Sequence, residues 1–201
     1  EIYQEIGDLY SMSAALHNLG AYQDMQGNLE GAEEIYKVVL DIRLEIRNLP
    51  NAVKTLILLA WVAHNRGDFH GAKNYLIDTE IIAHQRHMHH SLAEANRIRS
   101  AIAFAEENYE AALELAENAH AYERNGKHKD EQFMSKLFSA LAYIGLDKPA
   151  RARPHAFAFL KQIMKKLNPS HYGNGMRHKI AHALQPIIIL LAKDNALELS
   201  A

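Results

Sequence analysis

The sequence predicts an all-α fold, an array of antiparallel helical hairpins, and three observations carry that expectation. A turn signal recurs in steps of 40 residues, at Gly27-Asn28-Leu29, Gly67-Asp68-Phe69, Glu107-Asn108-Tyr109 and Asp147-Lys148-Pro149. An alanine stands five residues after the start of each, at Ala32, Ala72, Ala112 and Ala152. On both sides of the turns apolar residues recur at the i, i+3, i+4, i+7 spacing of one helical face. Leu16, Leu19, Tyr22 and Leu56, Leu59, Ala63 precede turns; Ala32, Ile35, Tyr36, Val39 and Ala72, Tyr75, Leu76, Thr79 follow them.

Taken in order, the pattern predicts helices over 11–26 and 29–47, 51–66 and 69–88, 91–106 and 109–125, and 130–145 and 149–167. A lone closing helix follows over 174–193. Pro50 opens the second unit, a position that tolerates its missing N–H. Asn168-Pro169-Ser170-His171-Tyr172-Gly173-Asn174-Gly175 is the clearest loop, dense in turn formers. The repeats are thus 11–50, 51–90, 91–130 and 131–170, with 171–201 closing the array. Residues 1–6 share the phase of Asp41–Ile46, so 1–10 read as the tail of a preceding repeat helix. On that reading the solenoid is one domain and a fragment of a larger protein.

The physical reason for the pattern is crossing distance. Small residues let two antiparallel helices approach, while Leu and Tyr fill the gap to the next pair. One hairpin cannot bury its stripe alone, so stacking completes the core.

These residues resemble the tetratricopeptide repeat (TPR) family. Its pattern, W-x2-L-G-x2-Y then A-x3-F then P, is met by Leu16-x2-Leu19-Gly20 with Ala32-x3-Tyr36, and by Leu56-x2-Leu59-Ala60 with Ala72-x3-Leu76. The third unit (Asn96, Arg99, Ser100, Ala112, Ala116) and the fourth (Lys136, Ser139, Ala140, Tyr143, Ala152, Ala156) keep the small residues and lose the bulky ones. The closing proline is absent, its phase holding Leu44, His84, Arg124 and Met164. The usual period is about 34 residues, and the extra length is expected in the second helix and its exit loop. The 40-residue form is similar to the long repeats of bacterial signalling regulators, including the maltose-activator branch of LuxR-type transcription factors. It is also similar to the repeats of eukaryotic spindle-orientation adaptors. The resemblance implies a right-handed α-α superhelix and a non-enzymatic role.

Composition narrows the function classes. The 201 residues are 48% hydrophobic and 23% charged, which excludes disordered and collagen-like chains. The absence of Cys excludes a disulfide framework, thiolate metal sites and thiol catalysis, and fits a reducing, cytoplasmic setting. The longest apolar run, Pro186–Ala192, falls far short of the roughly 18 residues of a membrane span, so no membrane partner is expected.

Thirteen histidines invite a metal hypothesis. His84, His87, His89 and His90 cluster, but Arg86 sits among them and no carboxylate follows until Glu94, so a polar helix exit is the simpler reading. His178 and His182 have the spacing of a zinc helix, yet Lys179 stands where H-E-x-x-H needs its Glu. No phosphate-binding glycine loop and no G-x-S-x-G occurs. Glu106, Glu107, Glu110 and Glu114 read as a solvated helix face. No catalytic residue, cofactor or metal site is expected.

By the resemblance, the first helices line a concave groove for extended peptides or partner helices. Its lining phase carries His17, Ala21 and Asp24, then Lys54, Ile57, Trp61, His64 and Asn65, then Arg97, Ala101 and Phe104, then Leu137, Leu141 and Ile144. The only tryptophan, Trp61, with Lys54, His64, Asn65 and Arg97 nearby in phase, is the expected hot spot for a peptide or acidic ligand. The alternative is that Trp61 packs between hairpins. The full carboxylate-clamp residue set is not reproduced.

Charge is unevenly spread. The formal net charge of −2 sums an acidic 1–147, at −9, a stretch from Lys148 to Lys193 that holds no Asp or Glu and carries +9, and the −2 of Asp194 and Glu198. Arg151, Arg153, Lys161, Lys165, Lys166, Arg177 and Lys179 form this basic end, expected to dock an acidic protein surface, with a merely solvated face or nucleic-acid binding the alternatives. The expected function is a protein-interaction module of a signalling or transcription regulator. The alternative is a small-effector-sensing array that controls self-association.

Overall fold

A computed structural model of the chain describes residues 7–125 and 133–166. The tail at 1–6, the loop at 168–175 and the closing helix at 174–193 lie outside the described residues. Within them, the regular structure is entirely α-helical: α1 Leu9–Met25, α2 Leu29–Glu45, α3 Leu49–Asn65, α4 Phe69–Gln85, α5 His89–Ala105, α6 Tyr109–Asn125, α7 Phe133–Gly145 and α8 Pro149–Lys166.

The helices are more regular than the sequence suggests. Each of α1 to α6 has 17 residues, so the second helices are not lengthened as the longer period led us to expect. The extra residues are shared equally between the arms because one kind of turn ends α1 to α5 and α7. Gly27, Arg47, Gly67, His87, Glu107 and Asp147 all adopt positive φ, between +52° and +82°. Around Gly27, its N–H donates to Asp24 O and the Asn28 N–H to Gln23 O, both at 3.0 Å. The same pair of bonds closes α2 through Arg47 and Asn48, and α7 through Asp147 and Lys148. This is the left-handed C-terminal motif that satisfies the last carbonyls of a helix. The residue that completes it also begins the next helix. Asn28, Asp68 and Asn108 accept hydrogen bonds from the N–H groups of Gly31, Gly71 and Ala111, capping α2, α4 and α6.

Four recurring positions of the repeat form the core of each hairpin. Gly20, Ala32, Tyr36 and Val39 are buried, as are Ala60, Ala72, Leu76 and Thr79. So are Ser100, Ala112, Ala116 and Ala119, and Ala140, Ala152, Ala156 and Phe159. Bulk shifts among these positions from repeat to repeat. A Cβ added at Gly20 would stand 2.7 Å from the Tyr36 ring, so the large side chain on α2 requires glycine on α1.

The chain divides within α5 into two compact units, Glu1–Ile98 and Arg99–Ala201. In the first, α2 packs on both α1 and α3, and α3 on α4. Ala32, Tyr36, Leu59 and Val62 form its central cluster. In the second, α7 packs on α6 and α8. Its clusters are Ala103, Ala112 and Ala142, and Leu137, Ala140, Ala156 and Phe159. One apolar stripe differs between equivalent helices. On α3, Leu59 and Val62 are 0% and 1% exposed, whereas their counterparts on α1, Leu19 and Tyr22, are 45% and 57% exposed.

Candidate functional face on the first helices

The exposed face of α3 gathers four of the side chains expected to bind. Lys54 and Asn65 are exposed, while Trp61 and His64 are half-buried one helical turn apart. The His64 ring stands edge-on to Trp61, with centroids 5.5 Å apart, and lies 5.7 Å from Phe69 at the start of α4. Its Nδ1 is 3.3 Å from Asn65 Oδ1. The neighbours Leu59, Ala60, Val62 and Ala63 are buried, so the helix is fixed beneath the indole.

On α1, His17 and Asp24 are both half-buried. The His17 ring lies 6.0 Å from that of Tyr36, tilted by 48°. Burial holds the His17 imidazole below the usual histidine range, and the Arg43 and Lys54 charges push it in the same direction. Burial, with a contribution from Asp24, pushes the Tyr36 phenol up to about 12.

The remaining groove residues are placed differently. Arg97 is 3% exposed and pairs with Glu94, three residues before it on α5. Phe104 belongs to the second unit, where it packs 5.4 Å from Tyr109 and against the Ala103, Ala112 and Ala142 cluster.

Arg43 is the residue that sequence reading missed. It is 6% exposed, and its Nη1 donates to Thr55 Oγ1 at 2.7 Å and to Asn51 O at 3.1 Å. Its place in the repeat is that of fully buried Ala83, which is the signal that would have found it.

The second unit brings together a serine, a histidine and a glutamate, but not as a catalytic triad. Ser135 Oγ donates to Glu123 Oε2 at 2.7 Å, while His120 Nδ1 lies 3.4 Å from that oxygen's donor and 3.6 Å from Glu123 Oε2. A nucleophile needs its proton taken by the ring, with the acid on the ring's far nitrogen. Here the hydroxyl bonds the acid directly, and Ser135 is 0% exposed. The cluster is a polar joint between α6 and α7. Nearby, burial holds His155 below its usual range, helped by Lys136 and His120 and opposed by Glu117.

His84 closes α4, His87 occupies the left-handed turn, and His89 and His90 begin α5. Among the described residues no three His, Asp or Glu side chains come together as metal ligands. A cavity of about 650 Å³ is lined by Gly7, Asp8, Leu9, Tyr10, Ile46 and Asn48. Its one carboxylate, Asp8, is held below the usual range by capping Ser11 at the start of α1. At the basic end, Arg151, Arg153 and Lys161 are exposed on α8, and Arg153, Phe157 and Lys161 share one stripe, with Phe157 58% exposed. Lys165 and Lys166 lie in its last turn, and Arg177 and Lys179 fall outside the described residues. No helix among the described residues is long and apolar enough to cross a membrane.

With this geometry in place, comparison with known proteins fixes the fold. Residues 13–48 match the tetratricopeptide repeat family model. The fold is that of a TPR-like solenoid. Two structures of a putative kinesin light chain from Podosopora anserina, described as having nearly identical TPR-like repeats, align with TM-scores of 0.60 and 0.59. Identity is 19% and 18%, over 94% and 92% of this chain and 95% and 97% of theirs. BtubC (BKLC) from P. vanneervenii aligns with a TM-score of 0.63 at 14% identity, over 81% of this chain and 66% of that one. No curated protein matches the chain. TPR repeats generally mediate protein–protein interactions, and the solenoid is typically a non-enzymatic scaffold.

Proposed function

We propose that this solenoid is a protein-interaction module that takes a partner segment on the face formed by His17, Asp24, Lys54, Trp61, His64 and Asn65. The observation that carries the reading is Trp61 itself. A half-exposed indole, propped edge-on by His64 over a buried helix, is a large rigid anchor that loses little entropy on binding. Lys54 and Asn65 flank it with exposed polar groups, giving an apolar centre and a polar rim. The exposed Arg153 and Lys161 on α8 supply a second, electrostatic contact for an acidic partner surface. The setting we infer is a larger cytoplasmic signalling or transcription regulator, on the resemblance of the 40-residue repeats alone.

Panning a displayed random-peptide library against the chain tests this. Selected peptides are expected to shift Trp61 fluorescence, and Trp61→Ala to weaken them by more than about tenfold with the thermal midpoint unchanged. Peptides that bind Trp61→Ala as well as the parent would overturn the assignment.

A further inference from the structure

The outward face of α1 lacks the cover that its equivalents receive. Ala15, Asn18, Leu19 and Tyr22 are all exposed. Forty residues on, Thr55, Leu59 and Val62 are buried and Leu58 is half-buried. The same phase is buried at Ile98 and Ile102 on α5, and at Phe138 and Ala142 on α7. On α3 the cover comes from α2, whose Ala32 and Tyr36 cluster with Leu59 and Val62. The α1 face is therefore the stacking surface of the repeat, continued onto a helix where it is exposed.

Its chemistry differs from that of an ordinary solvated helix face. From Tyr10 to Met25, the exposed residues of α1 include no charged side chain. The helix holds no Lys or Arg, and its one carboxylate, Asp24, is half-buried. Apolar and aromatic exposure with charge depletion is the composition of an interface core. The stripe runs about 22 Å along the helix.

The order of the residues selects the occupant. An acidic or basic segment would meet no opposite charge here. A second copy of α1, antiparallel across a two-fold axis at Asn18, meets a surface that complements itself. Residues equally far from Asn18 on either side then face each other. The bulky Tyr22 stands opposite Ala14 and next to Ala15, so large side chains meet small ones. The two Asn18 amides meet on the axis, and each offers the donor and the acceptor that the other needs. We propose that α1 is a self-association face, on which two copies of this chain pair through Ala15, Asn18, Leu19 and Tyr22. One helix face of this length buries less than the roughly 1,200 Å² of a standard stable interface, so the dimer is weak and reversible.

Sedimentation velocity of the intact chain, from about 10 µM to about 1 mM, is expected to show a monomer–dimer equilibrium. Leu19→Glu and Tyr22→Glu each bring two carboxylates into the contact and should weaken it at least about tenfold. Both side chains are exposed, so the thermal midpoint of the dilute chain should not move. Asn18→Asp and Asn18→Lys should each weaken dimerisation as well. Mixing those two variants should restore it, because opposite charges then meet on the axis. Trp61→Ala should leave the dimer intact, which keeps this contact apart from peptide capture. A chain that stays monomeric throughout, or a dimer indifferent to Leu19→Glu, would overturn the proposal. So would species that grow beyond the dimer, or Asn18 variants that fail to rescue each other, since both exclude a two-fold pairing at Asn18.

Discussion

Arg43 and Glu123 stand at the same place in the repeat, 80 residues apart, and carry opposite charges into the same kind of joint. Each is 5–6% exposed, and each bonds a hydroxyl on the following helix at 2.7 Å, Thr55 for Arg43 and Ser135 for Glu123. Solenoid geometry therefore fixes where a polar contact between successive helices falls and leaves its sign open. The intermediate repeat, with Ala83 and Ala95 both 0% exposed, uses no charge at all at these positions. The two charged joints differ in what else they offer. Glu123 has Ser135 as a donor and His120 Nδ1 3.6 Å away. Arg43 has neutral acceptors on one nitrogen and an empty edge beside it. One joint pairs its charge within itself, and the other leaves a buried Arg43 nitrogen without an acceptor.

Breaking the hydroxyls should expose that asymmetry most strongly. Ser135→Ala removes the short donor from a buried carboxylate, and we expect a loss of about 2–3 kcal/mol in urea unfolding. Thr55→Val leaves Arg43 bonded to Asn51 O, so its loss should be about 1 kcal/mol. Equal losses at the two positions would mean that the joints are alike after all. Replacing the charge itself should act the other way. Arg43→Met keeps the volume and removes a desolvated cation, while the Thr55 hydroxyl still donates to Asn51 O. Stability within about 1 kcal/mol of the parent, or above it, is expected. A loss of several kcal/mol would show that the fold depends on the Arg43 cation.

The joints also show what the sequence could convey. Hairpin number and phase were legible because close helix crossing demands a small residue, and Ala32, Ala72, Ala112 and Ala152 mark it directly. Helix ends were less so. Glycine marks the left-handed turn at Gly27 and Gly67, but Arg47, His87, Glu107 and Asp147 adopt it without that signal. The expected helices 29–47 and 69–88 ran past those turns for this reason. On the candidate face, the phase of Lys54, Trp61, His64 and Asn65 could be read as one helical stripe. Arg43 could not, since a lone basic residue near a helix end ordinarily reads as solvated. Only its coincidence with the phase of Ala83, and of Thr55 with that of Ala95, distinguishes it.

Protonation gives the smallest effect, and it divides the joints again. His17 beside the first and His155 near the second are both held below the ordinary histidine range, chiefly by burial. Each ring therefore binds a proton more weakly in the folded chain than in the unfolded one. As pH falls through about 6.5, the unfolded chain takes up protons first. The stability that these rings contribute is complete above that value and is lost below it. Urea midpoints are expected to drop between pH 7.5 and 5.5, and His17→Gln and His155→Gln should each reduce the drop. The Arg43 and Lys54 charges are secondary causes for His17 alone, so Arg43→Met should shrink the His17 share and leave the His155 share unchanged. A drop of unaltered size in the double histidine variant would remove both rings from the account.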